Sequence, residues 1–376
     1  MKFVHLSDLH IGKRVNEFSM LNDQKYILDE IIRIIKSEEV NGVVIAGDVY
    51  DKPVPSAEAV QLFDLFLTKL ADLDLSVFII SGNHDSAERL AFGKELMRSR
   101  KVYVSSVFDG KIEPVILTDD YGETAFYLVP FLKPAYVRHV DPDAKIETYH
   151  QAFQYVTDHL KIDSSRRNVI AAHQFVTGAS RCDSEEVSVG GMDNIDASLF
   201  EKFDYAALGH IHGPQSITKD TIRYCGTPLK YSFSESRHEK SVTIVELKEK
   251  GNTVIRTVPL IPEKDMREIK GTYDQITELS FYRNTDTEDY LHITLTDEED
   301  IPDVLTKLRV IYPNIMKLDY DNTRTKKNQE MQEIENIEKR SPIELFGEFY
   351  KQQNNKELNE EQTKILNGLI EKIWEV

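Results

Sequence analysis

Five short apolar segments of this chain each end in a cluster of polar side chains, and this pattern constrains the fold more than any other feature of the sequence. The apolar segments are residues 3–6, 43–46, 77–80, 169–172 and 205–208. The polar clusters that follow them begin at Ser7, Gly47, Ser81, His173 and Gly209. Runs this short and this apolar are typical of strands that are buried on both faces of a parallel sheet.

Helical patterns separate the early strands. Apolar side chains recur at helical spacing at Ile27, Ile31, Ile34 and Ile35, and again at Val60, Phe63, Leu67 and Leu70. Alternating strands and helices predict an α/β fold with a largely parallel sheet. Because such sheets bind their ligands beyond the carboxyl ends of the strands, the five polar clusters are predicted to meet at one edge.

The strand ends carry side chains that can bind metal ions. They are Asp8, His10, Asp48, Asn83, His173, His210 and His212. This mixture of carboxylate, imidazole and amide groups suits Mn, Fe or Zn better than Ca. Seven ligands are too many for one ion, so we predict a binuclear centre with ions ~3.5–4 Å apart and Asp48 as the bridge. Two such ions clamp the attacking and leaving oxygens of an in-line displacement at phosphorus.

Two further residues are predicted to act beside the metals. His84 directly follows Asn83 and is assigned to the leaving group and the phosphoryl oxygens, as proton donor and charge stabiliser. Asp51, three residues after Asp48, is expected to hold the ring of His84. Each motif alone has a structural explanation, since an isolated Asp-x-His is usually a turn or a cap and a lone His173 is usually a core residue. Their combination, each at a strand end, favours the metal site.

Composition limits the partners of the chain. Its 46 Lys and Arg residues and 64 Asp and Glu residues give a formal net charge of −18, which repels polyphosphate backbones at long range. A nucleic-acid substrate would therefore need attraction from bound cations, a local basic patch or a partner. The two cysteines, Cys182 and Cys225, argue against a disulfide scaffold and a zinc-thiolate site. The absence of a signal sequence and of any run near ~20 apolar residues predicts a cytoplasmic protein without a membrane partner.

The pattern changes after about residue 262, and the length of 376 residues predicts two or three domains. Residues 1–265 are predicted to form the phosphoesterase domain. Residues 266–320 are predicted to form a small α+β domain, with strands at 267–273, 290–296 and 315–320 and helices at 274–279 and 303–311. The polar segment 321–340 is a predicted linker or exposed helix. Two capped helices are predicted within 341–376, beginning at Ser341-Pro342 and at Asn359.

The two tail helices carry apolar stripes. One stripe comprises Leu345, Phe346, Phe349 and Tyr350, and the other comprises Ile365, Leu366, Leu369, Ile370, Ile373 and Trp374. These helices either pack on the core of this chain or bind a partner, and the polar linker before them favours the partner. The sequence has no Gly-x-x-x-x-Gly-Lys-Ser/Thr motif, so any dependence on ATP must come from that partner.

The chain resembles the calcineurin-like metallophosphoesterases in the motifs that hold these ligands. They are Asp8-Leu9-His10, Gly47-Asp48, Gly82-Asn83-His84-Asp85, His173 and Gly209-His210-Ile211-His212. More specifically, residues 83–90, 203–210 and 226–235 are similar to the SbcD family of bacterial nuclease subunits. Since these longer segments exceed what metal binding needs, they separate this family from its generic relatives.

The resemblance implies a four-layer α/β/β/α sandwich with a small α+β capping domain and a C-terminal helical pair. It also implies two manganese ions, with Mg or Zn as substitutes in vitro, and His84 as the catalytic residue. One ion would bind Asp8, His10, Asp48 and His212, and the other would bind Asp48, Asn83, His173 and His210. The implied activity is exonuclease action on double-stranded DNA and endonuclease action on hairpins and single strands. The implied partner in DNA repair and recombination is an SbcC-type coiled-coil ATPase, joined by a homodimer of this chain in a nucleoid-associated heterotetramer.

Two other functions fit parts of the sequence. A phosphoprotein phosphatase or cyclic-nucleotide phosphodiesterase would share the metal motifs, but such phosphatases typically have Arg before Gly-Asn-His and Glu after it, where this chain has Ser81 and Asp85. A non-catalytic scaffold would have lost ligands or His84, and all of them are present.

Overall fold

A computed structural model of the chain describes residues 1–185, 194–323 and 325, together with residues 346, 347, 350, 358, 359, 362, 363, 365 and 366. The chain forms two compact units. The first comprises Met1–Ile269, Thr285–His292 and Leu308–Lys317, and the second comprises Lys270–Asn284, Ile293–Lys307 and the described residues from Leu318 onward. The domain boundaries set out above stay predictions.

The described residues form the following elements. The strands are β1 (Lys2–Leu6), β2 (Arg14–Val15), β3 (Phe18–Ser19), β4 (Gly42–Ala46), β5 (Ser76–Ile80), β6 (Val102–Val104), β7 (Val115–Asp119), β8 (Gly122–Val129), β9 (Arg167–His173), β10 (Phe175–Val176), β11 (Asn194–Ile195), β12 (Tyr205–Gly209), β13 (Gln215–Ile217), β14 (Lys219–Tyr224), β15 (Ser241–Leu247), β16 (Thr253–Pro259), β17 (Met266–Gly271), β18 (Tyr290–Leu295) and β19 (Ile315–Tyr320). The helices are α1 (Leu21–Glu38), α2 (Ala57–Asp72), α3 (Ala87–Leu90), α4 (Lys94–Arg98), α5 (Pro134–Val140), α6 (Tyr149–His159), α7 (Tyr273–Thr277), α8 (Leu279–Tyr282) and α9 (Val304–Leu308), with 3-10 turns at Ala197–Phe200 and Phe233–Glu235.

Two six-stranded sheets form the centre of the first unit, in the orders β16-β15-β1-β4-β5-β6 and β13-β14-β12-β9-β8-β7. The five apolar segments of the sequence are the inner strands β1, β4, β5, β9 and β12. Strands β1, β4, β5 and β6 are parallel to one another, and so are β8, β9, β12 and β14. The predicted α/β class is therefore confirmed. The outer strands β7, β13, β15 and β16 pair antiparallel, which the apolar pattern did not indicate.

The two sheets face each other across an aromatic layer. The rings of Phe78 and Phe126 are stacked with centroids 4.1 Å apart, and Phe3 meets Phe126 edge to face at 5.6 Å. Helices α1 and α2 cover the outer face of the first sheet, and α5 and α6 cover that of the second. The four-layer α/β/β/α arrangement implied by the resemblance is thus confirmed. The buried face of α2 is centred on Ala59, Phe63, Phe66 and Leu70, so the expected place of Val60 on this face was wrong.

Strands β17, β18 and β19 form a three-stranded sheet in that order, and α7, α8 and α9 lie in the connections. Thr272 caps α7 in a capping box with Gln275, which satisfies two backbone N–H groups at the start of the helix. Each predicted strand here agrees with an observed one within two residues.

Much of the predicted tail lies outside the described residues, including Leu345, Phe349, Leu369, Ile370, Ile373, Trp374 and most of 321–340. Phe346 and Ile365 are exposed, and Tyr350 and Leu366 are partly buried. Asn359 and Gln362 exchange backbone-to-side-chain hydrogen bonds, which is the cap predicted for the second helix. In the part of the chain described here, no helix combines the length and apolar character needed to cross a bilayer.

Candidate metal centre

The structure brings all seven predicted metal ligands together at the carboxyl ends of strands from both sheets. The first sheet supplies Asp8 and His10 after β1, Asp48 after β4 and Asn83 after β5; the second supplies His173 at the end of β9 and His210 and His212 after β12. Six of the seven side chains, all except Asn83, are buried. The centre therefore lies where the edges of the two sheets meet, and neither sheet alone contains it.

Local backbone geometry makes these close approaches possible. Asp8 and Asp48 have positive φ angles of 52° and 48°, and Gly47 has φ +91°. A Cβ atom at Gly47 would lie 2.3 Å from Nδ1 of His173, and one at Gly82 would lie 2.0 Å from Oδ1 of Asp48. Any residue with a Cβ atom would clash at either position. Gly47 and Gly82 therefore allow the ligand-bearing loops to come together.

The ligands form two neighbouring groups. Asp8, His10 and His212 form one, in which Nε2 of His10 lies 3.2 Å from Nε2 of His212. Asp8, Asp48 and His173 form the other, in which Oδ2 of Asp48 lies 3.3 Å from Nε2 of His173.

Asn83 and Asp48 extend these groups. Oδ1 of Asn83 lies 3.0 Å from both Nε2 of His173 and Nδ1 of His210, which adds His210 to the second group. Asp48 also lies 3.7 Å from Nε2 of His10 and so reaches both groups, as expected of a bridging carboxylate.

Burial and neighbouring charges together set the pKa values of the centre. Burial raises the pKa of Asp8 to about 6 and lowers the pKa of His210 to about 3. Burial would also raise the pKa of Asp48, but the His173 ring beside it holds that pKa below its usual value. Burial would lower the pKa of His173, yet the Asp48 carboxylate raises it to about 9.

The donor set fits divalent cations. His173 donates its Nδ1–H to the carbonyl of Ala46 at 2.8 Å, which leaves Nε2 as the ligand atom. On the other side, Nδ1 of His212 lies 2.8 Å from Oγ of Ser184, which leaves its Nε2 beside His10. Buried carboxylates next to imidazoles oriented in this way are the arrangement expected of a two-ion site.

His84 lies at the rim of the centre. Its ring is perpendicular to that of His10 with centroids 4.8 Å apart, and its backbone N–H donates to Oδ1 of Asp48 at 2.9 Å. Nδ1 of His84 lies 3.0 Å from the main-chain carbonyl of Asp51. The Asp51 carboxylate instead pairs with Lys13 at 2.8 Å. Asp51 thus contacts the His84 ring through its backbone, where a side-chain contact was expected.

Several residues that support the ligands were missed. Asp85 accepts hydrogen bonds from the N–H groups of Val49, Tyr50 and Gly82, so it joins the loops after β4 and β5. Glu235, Glu185, Lys240 and Ser184 surround His212. The sequence did contain a sign of two of these residues. Asp85 and Glu235 belong to the longer motifs 83–90 and 226–235, which exceed what metal binding needs.

Comparisons with known proteins show which family the chain is similar to. Residues 1–214 match the family model of calcineurin-like phosphoesterases, and residues 262–354 match a model described as type 5 capsule protein repressor C-terminal domain. A Staphylococcus epidermidis protein named as a component of the nuclease SbcCD is 32% identical over 374 residues, 98% of each chain. A second protein of the same name, from Staphylococcus saprophyticus, is 32% identical over 385 residues, 100% of this chain and 99% of its own. A dimetal phosphatase from Danio rerio is similar with a TM-score of 0.43 and 13% identity, over 69% of this chain and 96% of its own.

Proposed function

The chain belongs to the calcineurin-like phosphoesterases and, within them, to the SbcD family of nuclease subunits, and we propose that it is a manganese-dependent DNA nuclease. It is an enzyme of the phosphodiesterase class. The observation that carries the proposal is the convergence of seven oxygen and nitrogen donors from both sheets, with His84 at the rim. Its substrates in this proposal are double-stranded DNA ends, hairpins and single strands.

The residues divide the chemistry among them. Two divalent ions, when bound by the seven ligands, supply positive charge that stabilises the attacking and leaving oxygens at phosphorus. His84 donates its Nδ1–H to the Asp51 carbonyl, so Nε2 is the nitrogen that gives a proton to the leaving oxygen. The backbone N–H of His84 is bound to Asp48, so the catalytic ring and the shared ligand hold fixed positions relative to each other.

The first test is cleavage of a hairpin duplex by the purified chain with manganese. EDTA should abolish cleavage and manganese should restore it, whereas His84→Ala should lower the rate about 10²–10⁴-fold with unchanged metal content. His139→Ala, on the exposed side of α5, is the matched control. Full activity in excess EDTA, or loss of metal from His84→Ala, would contradict the assignment. Faster hydrolysis of p-nitrophenyl phosphate than of DNA would favour a phosphatase with another substrate.

We also infer that the chain acts with an SbcC-type coiled-coil ATPase through its tail. The curated relatives are named as one component of SbcCD, which supports a second component. Phe346 and Ile365 of the tail stripes are 44% and 60% exposed, which leaves apolar surface for a partner. Phe92 and Leu96, 83% and 81% exposed, offer a further apolar surface that supports the proposed homodimer.

Deletion of residues 341–376 tests the partner proposal. The truncated chain should stay folded and keep its metal, but it should no longer co-purify with SbcC. Light scattering of the intact complex should give two copies of each protein. A truncated chain that aggregates or melts at a much lower temperature would instead place the tail helices in this chain's own core.

A further inference from the structure

One buried carboxylate beside the metal centre has no place in the ligand set. Glu235 is the last residue of the 226–235 motif, which contains none of the seven predicted metal ligands. Its side chain has no exposed surface. We propose that Glu235 is a positioning residue that fixes the ring of His212 and thereby tunes one of the two metal positions. This inference rests on the proposed two-metal function.

His212 is held at its backbone and at its ring. Its N–H donates to Oε1 of Glu185 at 2.7 Å, and its carbonyl accepts from Nζ of Lys240 at 3.0 Å. Its Nδ1 lies 2.8 Å from Oγ of Ser184 and 3.3 Å from Oε1 of Glu235. Ser184 in turn donates to the same oxygen of Glu235 at 2.5 Å. The ring can therefore rotate only if these contacts break, and Nε2 stays directed toward His10.

Glu235 is itself held by a network of donors. Nζ of Lys240 donates to Oε2, Oγ1 of Thr227 lies 3.3 Å from the same oxygen, and the N–H of Tyr231 donates to Oε1 at 3.3 Å. Lys240 also donates to Oγ1 of Thr227 at 2.6 Å. Four buried residues of this region, Thr227, Tyr231, Glu235 and Lys240, thus form one unit that presents a fixed carboxylate to His212. A buried ion pair of this kind is costly to leave half-made, which limits its freedom to move.

The support of His212 differs from that of the other histidine ligands. His173 is fixed by a neutral main-chain carbonyl, that of Ala46. Nδ1 of His10 has no hydrogen-bond partner within the structure described here, with Asp51 Oδ1 at 3.8 Å. A carboxylate behind a ligating histidine orients the ring and makes it a stronger ligand, and its loss typically lowers metal affinity about 10–100-fold. The loss should affect the position served by His10 and His212 more than the position served by His173 and His210.

Cys182, His212 and Glu235 also lie close enough together to suggest a further ion site. Lys240 places an ammonium group against Glu235, and this positive charge opposes a cation between the three side chains. The group is therefore better explained as the support of His212 than as a third metal site.

The experiment compares manganese binding to the metal-free full-length chain by calorimetry and by the electron paramagnetic resonance of free manganese. The variants are Glu235→Gln, the double variant Glu235→Gln with Lys240→Met, and Glu239→Gln as a matched exposed control. Glu235→Gln should weaken one of two manganese equivalents about 10–100-fold and leave the other unchanged. Cleavage should recover when manganese is raised, because the missing contact acts through affinity. The double variant should show the same weakened equivalent without leaving an unpaired buried ammonium.

The outcomes separate the two proposals. If the wild-type chain binds no manganese, the proposed function fails. If it binds two equivalents and both Glu235 variants bind them as tightly, only the positioning role fails. A uniform loss of both equivalents, with a lower melting temperature and no recovery at high manganese, would make Glu235 a structural residue and overturn the inference. If Glu235→Gln does not fold, the double variant decides.

Discussion

The two sides of the metal centre are held by different parts of the protein. On the His173 side, the imidazole is fixed by the carbonyl of Ala46, the last residue of a neighbouring strand, and lies against Gly47. On the His212 side, the imidazole is fixed by side chains from distant parts of the sequence, namely Glu235 and Ser184, with Lys240 on its carbonyl.

Because the two histidines are supported differently, the two sides of the metal centre should tolerate different kinds of substitution. A main-chain support is set by the sheets, so few side-chain changes can remove it, but a single methyl group near Gly47 can displace it. A side-chain support can be altered by one substitution, because each of its members is a separate residue. Metal binding on the His173 side should therefore be sensitive to added side-chain volume near the backbone. Metal binding on the His212 side should be sensitive to the loss of a charged side chain.

The largest expected effect comes from the ligand that joins the sides. Asp48→Ala should remove both manganese ions and abolish cleavage, because Asp48 lies within 3.3 Å of His173 and 3.7 Å of His10. Metal content by elemental analysis and hairpin cleavage on the same preparation check this. If Asp48→Ala keeps one tightly bound manganese ion, Asp48 belongs to one side of the centre only and does not bridge the two.

A methyl group at Gly47 should disturb the His173 side more than the His212 side. Gly47→Ala adds a Cβ that would lie 2.3 Å from Nδ1 of His173, at a φ of +91°. Gly122→Ala is the control, since Gly122 has φ +101° and nothing within 4 Å of the added atom. The backbone alone should cost about 1–2 kcal/mol of unfolding free energy in both. Overpacking should cost about 1–3 kcal/mol more in Gly47→Ala.

Denaturant unfolding of the metal-free proteins measures these costs, and manganese titration then shows whether one equivalent is weakened. If Gly47→Ala and Gly122→Ala lower the unfolding free energy equally, the residues around Gly47 can accommodate the added methyl group without cost.

The smallest expected effect on metal binding concerns His5, a buried histidine that belongs to neither side. Its Nδ1 lies 2.9 Å from the hydroxyl of Tyr205, and its Nε2 has no partner within the described structure. Burial lowers the pKa of His5 to about 3, so the folded chain keeps the ring neutral while the unfolded chain takes up a proton below about pH 6.5. Its contribution to stability is complete above pH 6.5 and is lost as the pH falls toward 3.

The variant His5→Gln isolates this contribution. In metal-free protein, its unfolding free energy should fall less steeply between pH 6.5 and 3 than that of the wild type, by up to about 1.4 kcal/mol per pH unit. Parallel pH profiles for the two proteins would show that His5 does not remain neutral in the folded chain.

The sequence alone predicted the strand ends and the side chains that meet there. The α/β class followed from the apolar runs, and the convergence of Asp8, Asp48 and His173 followed from the rule that ligands gather at the carboxyl ends of parallel strands. The four layers came from the family resemblance, because apolar runs do not reveal how strands divide between two sheets. The antiparallel outer strands carry weaker patterns, and their place depends on pairing with distant segments.

The supports of the ligands could not be predicted in the same way. Glu235 lies 23 residues from His212, and nothing in periodicity or spacing brings a buried carboxylate to an imidazole across that interval. The contact of Asp51 with His84 was anticipated at the level of the residue, but the atom involved is its carbonyl. Chain geometry decides such details, whereas sequence patterns identify only the side chain.

Ligands drawn from both sheets also affect how the enzyme is made in the cell. The first ligand is residue 8, the last is residue 212, and the carboxylate behind it is residue 235. At about 5–20 residues per second, a ribosome takes on the order of tens of seconds to synthesise the interval between them. Until residue 212 has been added, the emerging chain lacks part of the ligand set, so an unfinished copy cannot assemble the complete metal centre. Nuclease activity therefore begins only when the second sheet has closed against the first.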